Sequence, residues 1–142
     1  MHLEKGQPRL KTAHWPLLPP GTSAKDVSIA ELVSHPDHPE TFYISFRGQV
    51  AASNGAVKGD KIGIIQLGSQ SDFVQDVKHL DTGLDFIRGM SISDDAKYLA
   101  ATGQNAGGIE VYEISGLCGE ILTLKAKLDV QGTEQGTSLA WV

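Results

Sequence analysis

The feature that most constrains this chain is a strand–turn–strand–loop–strand pattern that occurs twice. Its clearer copy occupies residues 84–114, LDFIRGMSISDDAKYLAATGQNAGGIEVYEI. An apolar run over 86–93 carries one arginine, Arg88, and leads into a polar turn over 93–97. A second apolar run over 98–102, a glycine-rich loop over 103–108 and an alternating run over 108–114 follow. Residues 120–128, EILTLKAKL, supply a fourth strand. Short apolar or alternating runs separated by turn residues predict a meander of sequential antiparallel strands.

The earlier copy keeps the same order. Residues 27–34, VSIAELVS, suit a strand or a helical turn by their apolar positions alone. The strand reading is favoured because the HPDHP turn at 35–39 and the β-branched and aromatic run TFYISF at 41–46 follow directly. Residues 61–67 and 73–80 are the third and fourth strands, after a polar, glycine-containing loop over 47–60. Aligning Phe42 with Tyr98 and Ile62 with Ile109 offsets the copies by 56 and 47 residues. Repeats of about 40–50 residues with four strands each are the signature of β-propeller blades. The expected fold is therefore all-β, with about two four-stranded antiparallel blades.

A closed propeller needs about 4–8 blades. Two blades leave their outer faces and edge strands unpaired, which predicts self-association or membership of a larger ring. The expected units are residues 1–25 as remnant of a preceding blade and linker, 26–80 and 81–128 as blades, and 129–142 as a tail. Residues 9–14 read as an outer strand, and Pro16, Pro19 and Pro20 exclude a long helix after it. The apolar end TSLAWV reads as a strand that closes the ring or pairs within the first blade.

Charge and cysteine content narrow the function. The net charge is -5 and no basic block exists, so nucleic acid is not expected as a partner. A single placed arginine still suffices for a small anion. Cys118 is the only cysteine, which excludes an internal disulfide and a cysteine-based metal cluster and points to the reducing cytoplasm. The opening MHLEKGQPRLK has no apolar core of a signal peptide, and no 18-residue apolar run exists, so no membrane span is expected.

The candidate chemistry rests on few residues. Arg88 sits near the start of the strand that lines the channel in a propeller, where a guanidinium can take a carboxylate or phosphate bidentately. Arg47 closes the neighbouring strand of the first copy and opens its long loop. His35 and His38 form H-x-x-H, but the flanking prolines forbid the helix that would turn both rings to one metal. His35 remains as an acid–base candidate. His14 and His79 read as surface residues of outer strands. The loop over 103–108 joins two strands and opens no helix, so it is no phosphate cradle, although Asn105 can line the mouth. Glu110 and Glu113 have opposite strand parity and form no carboxylate pair on one face. No G-x-S-x-G elbow is present, Cys118 shows no activating partner, and no metal or other cofactor is expected.

From residue 26 onward the chain resembles the lactonase-type seven-bladed propellers, which include 6-phosphogluconolactonases and the fungal 3-carboxy-cis,cis-muconate cyclases. The carrying motifs are T-G-L-D-F-I-R-G-M-S-I-S-D-D-A-K-Y-L-A-A and the strand ending V-Y-E-I. The resemblance implies that Arg88 faces the substrate cleft. It matches Arg47, in Y-I-S-F-R-G, to a family arginine preceded by asparagine, with Phe46 in the asparagine's place. His35 falls on the family's H-P-D-G turn, and Asp95 on the same turn of the second blade, with Ala96 replacing the usual glycine. The implied ligand is an anionic lactone or carboxylate. Arg88 and Arg47 would clamp the anion, and His35 is the base available for hydrolysis; a muconate-cyclising reaction would use the same clamp. The resemblance also implies that this chain holds the last two blades of such an enzyme and only part of its active site, so that by itself it is expected to be inactive; the alternative reading is a non-catalytic propeller fragment or a protein-interaction module.

Overall fold

The computed structural model describes residues 17–54, 56, 58–68, 74–130 and 138–142, together with the backbone of 2–4 and 7–9. Two short strands, β1 (His2–Glu4) and β2 (Gln7–Arg9), pair antiparallel. Residues 10–14 of the expected outer strand, His14 included, lie outside the described residues, as do residues 73 and 137.

Two four-stranded antiparallel sheets follow. The first contains β3 (Ser28–Ser34), β4 (Thr41–Arg47), β5 (Lys61–Leu67) and β6 (Val74–Asp81), in that spatial order. The second contains β7 (Asp85–Ile92), β8 (Tyr98–Ala106), β9 (Ile109–Ser115) and β10 (Ile121–Leu128), again in sequence order. Each is a propeller blade, and the chain is a partial propeller.

The run at β4 is apolar without interruption because both of its faces are covered. Successive side chains of a strand point to opposite sides. Tyr43 therefore joins Ile62 and Ile64 against Leu84, Ile87, Leu99 and Tyr112 of the second sheet, while Ile44, Phe46 and Ile65 face the other way, toward Leu17 and Leu18. The first cluster is the seam between the blades. Tyr43, Ile62, Leu84, Ile87 and Leu99 are fully buried there, and each such side chain is worth about 1.5–3 kcal/mol relative to exposure. On the free edges the pattern reverses: Leu32 on β3 and Leu124 and Leu128 on β10 are more than half exposed.

Three details differ from the sequence reading. The second strand of the second blade continues through Gln104 and Asn105 to Ala106, so the turn shrinks to Gly107 and Gly108, whose φ angles of 94° and 68° favour glycine. The loop after β4 contains a short helix, α1 (Gln49–Ala52). The end of the chain forms no strand over 138–142 and does not pair with the first blade. It lies over the second sheet instead, with Ser138 against Gly89 and the Trp141 indole N–H donating to the Ser91 carbonyl at 3.2 Å. The Trp141 ring also lies beside that of Tyr98, with centroids 6.4 Å apart and planes tilted by 35°. Among the described residues no helix is long and apolar enough to cross a membrane.

Candidate functional site

The two sheets share one polarity, and it decides which candidate residues meet. Ser28, at the start of β3, pairs with Arg47 at the end of β4. The Arg47 guanidinium in turn lies 4.9 Å over the ring of Phe86, at the start of β7. Both inner strands therefore begin at one end of the seam, and Arg47 bridges them.

Several bonds fix Arg47 there. Its Nε donates to Ser28 Oγ at 3.0 Å, and the cation–π contact with Phe86 holds the plane of the group. No hydrogen-bond partner among the described residues engages its terminal nitrogens. Phe86 itself has φ of 61°, a backbone conformation that a bulky residue adopts only when its surroundings enforce it.

The enforcing group is Asp60, which is fully buried. Its Oδ2 accepts from the Phe86 N–H at 2.8 Å and the Gly48 N–H at 3.2 Å, and its Oδ1 accepts from Gln49 N–H at 2.8 Å. The Asp60 backbone is locked as well, since its carbonyl accepts from Thr82 Oγ1 at 2.7 Å and its N–H donates to the Leu84 carbonyl at 2.7 Å. One carboxylate thus ties the turn after Arg47 to the strand that carries Phe86 and Arg88.

Arg88 lies three residues into β7, with its side chain exposed. Its Nη1 donates to Gln104 Oε1 at 3.0 Å rather than to Asp81 or Asp85. Gln104 and Asn105 reach this end because β8 extends to Ala106. Asn105 bonds the Asp85 side chain, whose carboxyl is pushed above its ordinary range by burial and by the neighbouring Asp60 charge.

His35 is elsewhere. It follows the far end of β3, while Arg47 stands six residues along β4 from Thr41, a separation of about 20 Å at the rise of an extended strand. Its buried ring accepts backbone N–H bonds from Asp37 and His38 on Nδ1, both at 3.2 Å. Burial and then the adjacent His38 lower its pKa. This is the geometry of a turn-forming histidine, and the structure does not bring it to the arginines. His79 is half-buried, with Nε2 at 2.9 Å from the Leu17 carbonyl and its ring near Phe46. Glu110 is buried and takes the Tyr112 hydroxyl and the Gly83 N–H, while Glu113 pairs with Lys125 at the surface, so the two carboxylates remain apart.

Reading the sequence alone misses Asp60, Phe86 and Gln104 as parts of this end. Asp60 looks like a loop acid because its partners are backbone groups 11, 12 and 26 residues away. Phe86 looks like an ordinary core residue of a strand.

The residue pattern and the fold agree with comparisons to known proteins. No curated protein matches the chain. A solved structure from Bacteroides uniformis, provisionally assigned as a 6-phosphogluconolactonase, shares the fold with a TM-score of 0.55 and 22% identity; the match covers 71% of this chain and 27% of that one. The family described as "Lactonase, 7-bladed beta-propeller" matches residues 5–135, almost the whole chain. The chain therefore belongs to the seven-bladed β-propeller lactonase family.

Proposed function

We propose that the arginine-bearing end binds an anionic sugar-acid or organic-acid lactone, as one wall of a cleft for hydrolytic ring opening of the 6-phosphogluconolactonase kind. The observation that carries this is Arg47: a guanidinium oriented by Ser28 and Phe86, whose terminal nitrogens meet no hydrogen-bond partner among the described residues. Such a group takes a carboxylate or phosphate through two parallel N–H bonds and needs little reordering to do so. Arg88, held by Gln104, offers a second cation beside the same strand start.

In ring opening, water adds to the lactone carbonyl, the carbonyl oxygen gains negative charge, and the ring C–O bond then breaks to give a hydroxy acid. Arginine near that oxygen stabilises the developing charge. His35 stands at the other end of the blade and is assigned no proton transfer here. Ring closure of a carboxymuconate would load the same two cations; hydrolysis is preferred because the family and the structural neighbour are both described as lactonases.

The experiment is calorimetric titration of the chain with 6-phosphogluconate, the stable anionic product. Hydrogen bonds to a charged group contribute roughly 1.5–3 kcal/mol, so Arg47→Ala and Arg88→Ala should each weaken binding by about 10- to 100-fold. Lys97→Ala, at an exposed turn, should leave it unchanged. Equal affinity in Arg47→Ala, or no binding to the parent chain, refutes the proposal.

A further inference from the structure

The opposite end of the seam carries a second cluster of chemical groups. His38 and Glu40 come from the turn between β3 and β4, and Cys118 comes from the turn between β9 and β10. One ligand atom of each lies within 4.8 Å of the other two, and all three residues are half-buried. His38 Nδ1 is 3.7 Å from Glu40 Oε1.

The backbone beneath these side chains is fixed from both blades. Thr41 Oγ1 donates to the Cys118 carbonyl at 2.7 Å, and the buried Tyr43 hydroxyl donates to the Gly119 carbonyl at 2.6 Å. The Cys118 N–H is taken by Glu120 Oε2 at 2.9 Å. A Cβ at Gly119 would stand 2.6 Å from the His35 ring, so the two turns are pressed together with no space between them. On the other side, His35 Nδ1 holds the His38 N–H. Here the buried histidine finds its use, as the brace of the turn that presents His38 and Glu40.

We propose that His38, Glu40 and Cys118 are a three-ligand site for Zn²⁺ that bridges the two blades. Imidazole nitrogen, carboxylate oxygen and thiolate sulfur are all zinc donors, with bonds of about 2.0–2.3 Å. Around a tetrahedral ion such donors stand roughly 3.3–3.7 Å apart. Each therefore has to move inward by about 1 Å at most, a rotamer adjustment for half-exposed side chains. One carboxylate and one thiolate balance the ion's two positive charges. Binding forms the Zn–S bond as the Cys118 S–H proton leaves to solvent. A cavity of about 490 Å³, lined by Glu40, Gln66, Gln75 and Cys118, gives access to the fourth coordination position.

Cobalt(II) is the probe, because a thiolate ligand gives it a charge-transfer band in the near ultraviolet and Cys118 is the only thiol in the chain. The reduced 142-residue chain should develop this band to saturation at one equivalent of Co²⁺, and Zn²⁺ should abolish it. Cys118→Ser should lose the band. His38→Ala and Glu40→Gln, both at half-exposed side chains whose backbone bonds remain, should each weaken Co²⁺ binding at least about tenfold. Zn²⁺ should raise the thermal midpoint of the parent and not that of His38→Ala. Absence of the band at millimolar Co²⁺, or a band whose affinity is the same in His38→Ala and Glu40→Gln, overturns the site.

Discussion

Asp60 is the residue on which the arginine end depends most, and its removal is a quantitative test of the architecture. In Asp60→Ala the backbone N–H groups of Gly48, Gln49 and Phe86 lose their acceptor at a site with no exposure. A buried donor left unsatisfied costs roughly 1–3 kcal/mol. Some rehydration through the cavity left behind reduces the sum, so the expected loss is about 3–6 kcal/mol. That is a large share of the 5–15 kcal/mol typical of a domain. Asp60→Asn keeps one acceptor oxygen but turns an N–H₂ toward a backbone donor, and about half of that loss is expected. Urea unfolding followed by tryptophan fluorescence reads both variants, with Asp81→Ala, at an exposed carboxylate paired with Lys61, as the control. The release of Phe86 from its left-handed backbone adds a second readout, loss of the ring contact with Arg47 by NMR. An Asp60→Ala variant within about 1 kcal/mol of the parent would refute the claim that this carboxylate ties the two blades together.

Two further outcomes follow from local geometry. Ala96 has φ of 59° in the turn before β8; the left-handed conformation costs a non-glycine residue roughly 1–2 kcal/mol, partly offset by the looser unfolded chain of a glycine variant. Ala96→Gly should therefore raise stability by up to about 1 kcal/mol in the same denaturation assay, and a clear loss would contradict the strain. In that turn the Ser93 hydroxyl, then Lys97, hold the Asp95 carboxyl down to about 2, below its ordinary 3.8. A lowered folded-state pKa means the contribution is present above the ordinary value and lost as pH falls through about 2. Carboxyl NMR titration should show that midpoint in the parent and a higher one in Ser93→Ala.

Much of the fold was legible because its strands obey simple rules. The run 41–46 is apolar on both faces and β-branched, which matches a strand covered on both sides, and the HPDHP and SDDAK turns punctuate both blades. Matching Ala96 to a glycine position was informative for the same reason: the structure gives that residue the backbone glycine would take. Less visible were features decided by distant partners. Gln104 and Asn105 read as loop residues, yet β8 carries them on to meet Arg88 and Asp85. Trp141 reads as part of a closing strand, whereas its indole finds the Ser91 carbonyl and its ring finds Tyr98. Arg47 and Arg88 were found as candidates from strand position, but the polarity that separates them from His35 appears only when the sheet register is known.

The most direct test of the central claim is an amide and side-chain NMR titration of the chain with 6-phosphogluconate. The account predicts shift changes confined to Arg47, Phe86, Arg88 and Gln104, with the His35 and Cys118 turns unmoved. Changes centred on those turns, or no localised change at all, would contradict the assignment of the anion site to the arginine-bearing end.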